Sequence, residues 1–536
     1  MQGEGIYLYI LSMNVPVALV VLLGILFLAA GYVFYGGWIS RHYGVNPDNP
    51  VPAQKFYDGV DFVPAKNWLI LFGHHFASIA GAGPIVGPTL ALLYWGWLPA
   101  LLWVLFGSVF MGGVHDLGSL IVSLRNDATS ISENSRRYIS GRTRIVFSLF
   151  VWFSLVLIVA VFAHYAARSY VNDPHIVIPS LGLIPVAVLF GWMLYRAGLS
   201  FPVSTVVSLF LLVLLIPLGE ILPIPASYGV WMVVLFAYAY VASLVPVQYL
   251  LQPRDYLSAF LLIGSLLLML VGAFTSGRVM NIPPLHFSGA THLSILPFLF
   301  VTIACGAISG FHSLIASGTT ARQLPSERYA RRIAYGGMLM EGLLALLVIA
   351  AVGSLATGLD VKNPIGTFGN GVSNITPFLG KYGGYFAILV LNAFILTTLD
   401  SATRIARYIT SELFGVRNMY LSSAIVVGAA VLVIVGGQAS GLWTVFGSAN
   451  QLLSALALLV ITGFLLKSGK NPLPAMIPAI FMLLITLSAL AIQITNMLTG
   501  VAVNYTALIF AVVLFALGIF VGGEAFYRWF MVRKED

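Results

Sequence analysis

Apolar residues run along this chain in blocks of about 20, the length that carries a helix across a bilayer. Fifteen such blocks stand out, at 13–37, 68–94, 97–124, 145–167, 178–195, 202–222, 229–249, 256–275, 294–317, 333–356, 382–403, 419–435, 443–466, 474–496 and 503–527. Backbone groups in lipid have to be satisfied within their own segment, so the blocks predict helices. The expected fold class is an all-α polytopic membrane protein with about 15 transmembrane helices. No soluble domain is expected, because the longest polar stretches, 38–67 and 125–144, are too short for a core of their own. The chain therefore reads as one integral membrane unit, 1–536. Asn46-Pro47-Asp48-Asn49-Pro50 predicts a surface turn. Segment 276–292, with His286 and His292, predicts an external loop, and the Gly- and Asn-rich segment 357–381 a short re-entrant piece. The first basic residue is Arg41, so no cleavable leader is expected.

Composition agrees with this class and excludes others. The chain is 59% hydrophobic and 8% charged, against roughly 25% charged in soluble domains. Its one cysteine, Cys305, excludes intrachain disulfides and thiolate metal clusters. The net charge of +8 does not imply a nucleic-acid partner. With fifteen spans, 22 of the 26 basic residues fall in the loops of one side, which the positive-inside rule makes the cytoplasm. That count assigns Arg254, Arg404 and Arg407 to cytoplasmic connections and leaves Arg168, Arg278, Lys362 and Lys381 opposite. It puts the N-terminus outside and the C-terminus in the cytoplasm.

Spans 2 and 9 differ from the rest. Span 2 carries Gly73-His74-His75-Phe76 and Ala80-Gly81-Ala82-Gly83-Pro84, followed by Gly87-Pro88. Span 9 carries Cys305-Gly306-Ala307-Ile308-Ser309-Gly310-Phe311-His312-Ser313. Gly costs a helix about 1 kcal/mol and Pro about 3 kcal/mol relative to Ala, so both segments predict interrupted helices. The two stand seven places apart in the order of spans, so they run in opposite directions. Oppositely oriented broken helices mark the binding site of many secondary transporters. The competing reading is close helix packing through small residues. Histidines at membrane depth favour a cavity, with backbone from Gly81 to Pro84 and from Gly306 to Gly310 meeting the substrate. His74, His75, Ser78, Ser309, His312 and Ser313 are its candidate side chains. Helix N-termini freed by the breaks would attract a carboxylate.

Carboxylates at bilayer depth cost on the order of 2.5–3.5 kcal/mol, so Asp116, Glu341 and Asp400 each need a partner or a role. Asp400 and Arg404 share a helix face at i,i+4, which predicts an ion pair or an inner gate. Asp116 follows His115, but neighbours point about 100° apart and are not expected to pair. Asp116 and His115 are the proton-coupling candidates, with Glu341 beside them. Asn450 and Gln451 in span 13 are amides able to bind a polar ligand or to bond across helices. No metal is expected, because adjacent histidines do not chelate at helical spacing and no third ligand is evident.

An enzyme is disfavoured by the lack of a zinc-protease or nucleophile-elbow motif, and an ATP-driven pump by the lack of a P-loop. A coupled carrier, a channel and a sensor remain. Here four blocks bear a resemblance: Tyr57-Asp58-Gly59-Val60-Asp61-Phe62-Val63-Pro64 leading into Phe72-Gly73-His74-His75-Phe76 and Ala80 to Pro84; Thr302 to Thr320; Leu399-Asp400-Ser401-Ala402-Thr403-Arg404; and Leu442-Trp443 with Phe446-Gly447 and Ala449-Asn450-Gln451. In these the chain resembles the carbon starvation protein A (CstA) family. The resemblance implies an inner-membrane importer of short peptides or pyruvate used when carbon is scarce, with a proton or other cation gradient as driving force and no cofactor. It also implies an inverted-repeat core of the LeuT/APC type, borne by residues of about 57–466, with 467–536 as accessory spans. Some members of the family are longer at the C-terminal end, so this chain is expected to lack that region.

Overall fold

The computed structural model describes residues 14–59, 62–65, 67–245, 250–286, 294–435, 442–499 and 505–530. His292, Lys66, Arg533, Lys534 and the Val60-Asp61 pair lie outside them. Among the described residues the only β pairing is an isolated antiparallel bridge between Pro16 and Val279.

Eleven helices are long and apolar enough to cross a membrane, twelve with one bent pair. The count of fifteen crossings is not reached on that measure. The three remaining predicted spans coincide with Tyr228–Leu244 and Met419–Val435, each of 17 residues, and with an interrupted segment over 295–320.

The elements that position the site follow in chain order. The first span begins with α1 (Val17–Ala30). Span 2 splits into α2 (Trp68–Ile79) and α3 (Gly83–Trp95), bent by 45°. Asn67 starts α2 by accepting the Leu69 N–H at 3.0 Å. Pro84 has no N–H to give to the Ala80 carbonyl, so the ladder stops ahead of it and restarts at Gly83. Then come α4 (Gly113–Leu124), α5 (Tyr228–Leu244) and α6 (Leu251–Thr275). Span 9 splits into α7 (Ile295–Thr302) and α8 (Gly310–Ile315), and α8 runs into a wide turn over Ala316–Thr320. Last are α9 (Gly336–Gly353), α10 (Lys381–Phe414) and α11 (Leu442–Lys467).

Span 2 leaves helical geometry at Ala80 (φ −77°, ψ 72°) and span 9 at Ile303 (φ −86°, ψ 72°). The two breaks thus share a near-identical turn geometry.

The core is centred on α11, where residues 452–461 have no exposed surface. A helix apolar all round is stable only when enclosed by others. Phe201–Ile221 instead turns Val206, Phe210 and Val213 outward, as a lipid-facing helix does. Segment 357–381 holds a short helix, Pro364–Ile375, capped by Asn363 and pressed onto α9 at Gly371. The loops of the basic side are clamped together. Buried Glu327 takes two bonds from Arg125, at 2.7 and 2.6 Å, and one from the Asn46 N–H. Beside this clamp the Lys470 ammonium is held below the usual lysine range, first by burial and then by Arg125.

Candidate functional site

The two breaks meet at close range. Gly83 faces Cys305, and Gly306 faces Ala345 and Pro84. A Cβ on Gly87 would stand 2.6 Å from the Thr302 carbonyl oxygen. The glycines therefore let two interrupted helices cross backbone to backbone, the close-packing reading. These contacts place Gly83 and the Gly306–Gly310 backbone, read from the sequence as substrate contacts, at a helix crossing. Gly310 is closed off by Asn450 and Leu453. Gly81 faces the unpaired hydroxyl of Thr398 on α10.

Asn450 and Gln451 hold the break of span 9 open as a splint. The Asn450 amide donates to the Ala304 carbonyl and to Ser309 Oγ, and its oxygen accepts the Phe311 N–H at 3.0 Å. Gln451 donates to the carbonyls of Phe300 and Ile303, at 2.9 and 3.0 Å. Ser313 donates to Gly310 O at 2.6 Å. These side chains, with Ser309, satisfy backbone groups that the break would otherwise strand in a dry interior. Read from the sequence as substrate contacts, these side chains are here engaged with the backbone of span 9, and the Phe311 N–H at the start of α8 is taken. Asn450→Ala leaves the Phe311 N–H and the Ala304 carbonyl unpaired. It is expected to destabilise the protein by about 2 kcal/mol or more, read as a lower Tm in detergent. An unchanged Tm would contradict the splint.

Two buried polar networks flank α2, one beside each histidine. The first is a chain of four side chains from α4, α8 and α9. His115 Nδ1 lies 2.7 Å from Asp116 Oδ1, and Asp116 Oδ2 lies 2.8 Å from His312 Nδ1. His312 Nε2 in turn lies 3.1 Å from Glu341 Oε2. All four are fully buried. The expectation that His115 and Asp116 do not pair is thus corrected. A 100° step still leaves the near imidazole nitrogen within reach of a flexible carboxylate. The Glu341 contact is off the line of an aligned hydrogen bond, and neither of its oxygens has another partner. Donor atoms of Cys305, His312 and Glu341 all lie within 4.8 Å of one another. His75 stands next to this chain. Its Nδ1 is 2.8 Å from the Thr320 hydroxyl, and its ring lies against Gly337, one turn before Glu341.

The second network joins α2 to α5, α6 and α10. His74 Nδ1 lies 3.0 Å from Asp255 Oδ2, and Asp255 Oδ1 accepts from Arg254 at 3.1 Å. Arg254 grips both oxygens of Asp400, one at 3.0 Å, and the Tyr238 hydroxyl donates to the same carboxylate at 3.0 Å. The predicted Asp400–Arg404 pair is not formed. Arg404 reaches instead to the carbonyls of Ala242 and Val245. A cation there meets the negative end of the α5 dipole. Arg254 and Asp255 have no exposed surface and lie in α6, and Arg404 and Arg407 are buried within α10, so none of these arginines is a loop residue. Sequence reasoning missed Arg254 and Asp255. They stand directly before the apolar run at 256, where a charged pair reads as the end of a loop.

Chemically, the first network can hold a proton that moves. An imidazole donating from both nitrogens must be an imidazolium. Glu341 Oε2, 3.1 Å away but out of line for a hydrogen bond, places a second carboxylate charge beside a proton on His312. Open polar atoms remain on α2 and nearby: His74 Nε2, His75 Nε2, Ser78 Oγ and Thr398 Oγ1 have no partner.

Comparison with known proteins decides the family. The sequence model described as "Carbon starvation protein CstA" matches residues 16–383 and 357–489. The chain belongs to the CstA family. The peptide transporter CstA of Campylobacter jejuni is 32% identical over 550 residues, covering 85% of this chain and 77% of that protein. The peptide transporter CstA of Escherichia coli is 32% identical over 552 residues, covering 85% and 78%. The pyruvate/proton symporter BtsT of the same organism is 28% identical over 650 residues, covering 94% and 90%. Among solved structures, a manganese transporter of Eremococcus coleocola aligns with a TM-score of 0.54 at 11% identity, over 89% of this chain and 99% of that one. That likeness concerns the fold alone. The chain is a multi-pass membrane transporter of the CstA family and not an enzyme.

Proposed function

We propose that this transporter imports a small carboxylate-bearing nutrient, a short peptide or pyruvate, together with protons. Its N-terminus lies outside and its C-terminus in the cytoplasm. The observation that carries the coupling is the Asp116–His312–Glu341 chain, because it ties α4 and α9 to the segment just past the span 9 break. A proton added there changes the charge that holds α8 in place. It therefore biases the two arrangements of a broken helix that alternating access requires. The relatives' names, peptide transporter and pyruvate/proton symporter, agree with such a carrier. His74, His75, Ser78 and Thr398 are the substrate contacts, beside Gly81. If Thr320 donates to His75 Nδ1, the His75 proton sits at Nε2 and faces a carboxylate. These atoms are sealed from the surface here, so the described state is closed. Peptide and pyruvate share the carboxylate that this reading uses.

Reconstituted into liposomes, the protein is expected to accumulate labelled pyruvate or a labelled dipeptide only under a pH gradient acid on the N-terminal side. An uncoupler should abolish the accumulation. Equilibration that ignores the gradient would identify a channel, and no flux of either solute would leave a sensor.

A further inference from the structure

A groove of about 500 Å³ opens between α1, α2 and α9 on the outer face of the bundle. Its walls are apolar, with Ile25, Leu28, Phe72, Met340 and Leu343 along its length. Only one end is polar. There Trp68 and Tyr32 line it with Arg332, at the first residues of α2 and the approach to α9. That end lies on the side that carries most basic residues.

Three arginines crowd this end and lack acidic partners. The Arg332 guanidinium lies 5.3 Å from the Trp68 ring centroid, Arg331 lies 4.9 Å from Tyr32, and Arg328 lies 4.5 Å from Tyr329. Trp68 and Tyr329 stack at 5.9 Å. None of the three forms an ion pair with a carboxylate of the described residues, and the nearby Glu327 is taken by Arg125. Aromatic faces hold a guanidinium flat and leave its N–H edge free, the edge that grips a phosphate in bidentate fashion. Trp and Tyr mark headgroup depth in membrane proteins. An apolar channel that ends at this depth in unpaired arginines is complementary to an amphiphile with an anionic head.

We propose that the groove binds an anionic phospholipid, an acyl chain lying along α1 and α9 and the phosphate on Arg331 and Arg332. The site has a direct line to the transport machinery. Two of its walls are the outer faces of α2 and α9, whose inner faces carry His75 and Glu341. A lipid seated there braces the seam along which the two helices meet.

Gly336 offers a way to fill the groove without touching its charge. It lines the groove, and a Cβ there would meet the Arg331 carbonyl and the Tyr32 ring at an ordinary 3.6 Å, so a larger side chain is admitted. The experiment is native mass spectrometry of the detergent-purified full chain titrated with phosphatidylglycerol or phosphatidylcholine. The wild type is expected to retain phosphatidylglycerol in preference to phosphatidylcholine. Arg331→Gln/Arg332→Gln should weaken that retention about tenfold or more, Gly336→Leu should reduce it with all charges present, and Arg331→Lys/Arg332→Lys should keep part of it. A Tm unchanged by Gly336→Leu in lipid-free detergent separates lost binding from misfolding. Equal retention of the two lipids would overturn the proposal. So would wild-type retention by the Gln pair or by Gly336→Leu, or equal competition by inorganic phosphate. The readout is binding, so it stands apart from the transport reading.

Discussion

Asp116→Asn is expected to abolish gradient-driven accumulation while leaving substrate exchange at equilibrium within a few-fold of wild type. A pH gradient of one unit supplies 1.36 kcal/mol per proton, enough for about a tenfold concentration ratio. The variant's steady-state ratio should fall to unity. Asparagine keeps the shape and one acceptor oxygen, so the bond from His312 can persist. What disappears is the negative charge that makes an imidazolium at His312 affordable in a dry interior. Glu341→Gln should give the same split, because it removes the charge from the other end of the chain. The measurement is uptake into proteoliposomes under an imposed pH gradient, paired with counterflow in its absence. Accumulation that survives either substitution would take that residue out of the coupling step. Loss of counterflow as well would assign it to substrate binding or to folding instead.

The second large effect concerns stability. Arg254→Met leaves Asp400 and Asp255 buried without their shared cation, since both carboxylates bond to Arg254 and none of the three is exposed. Removing one partner of a buried ion pair costs about 3–5 kcal/mol. The variant is expected to reach the membrane poorly and to lose monodispersity on gentle heating in detergent. Arg254→Lys should rescue little, because an ammonium cannot grip both oxygens of a carboxylate. Arg254→Met/Asp400→Leu should recover much of the loss, since it leaves the His74–Asp255 contact in place and exchanges a buried pair for apolar volume. A single Arg254→Met variant as stable as wild type would mean that the network carries no weight. No recovery in the double variant would mean that Tyr238 or Asp255 depends on Asp400 more than the geometry shows.

How much of this was legible in the sequence depended on the range of the interaction. Apolar blocks and the two breaks could be read because each is a local property of the chain. Gly, Pro and β-turn chemistry act within a few residues. Partners are not local. Asp400 looks toward Arg404 four residues on, yet binds Arg254, 146 positions away. The Asp116–His312 pair joins residues 196 apart. Asp116 and Glu341 stand out because charge at bilayer depth is costly, and His312 because it sits in an interrupted span, but nothing in the sequence says that they touch. Glycines carry a similar ambiguity. The same residue type admits a ligand to the backbone or admits another helix, and only the neighbours decide. Here they are Cys305, Thr302 and Pro84, so packing prevails at Gly83, Gly87 and Gly306. Arg254 was lost for another reason. Hydropathy places a boundary where charges begin, so a charged pair at the first turn of an apolar helix is assigned to the loop even when it is fully enclosed.

The central claim is that a proton carried on the Asp116–His312–Glu341 chain crosses with the substrate. A pH-sensitive dye sealed inside proteoliposomes tests it most directly, with substrate added outside at equal pH on both sides. Wild type is expected to acidify the lumen on addition of substrate, and Asp116→Asn to carry substrate inward without acidification. Proton entry by Asp116→Asn at the wild-type ratio to substrate would contradict the account.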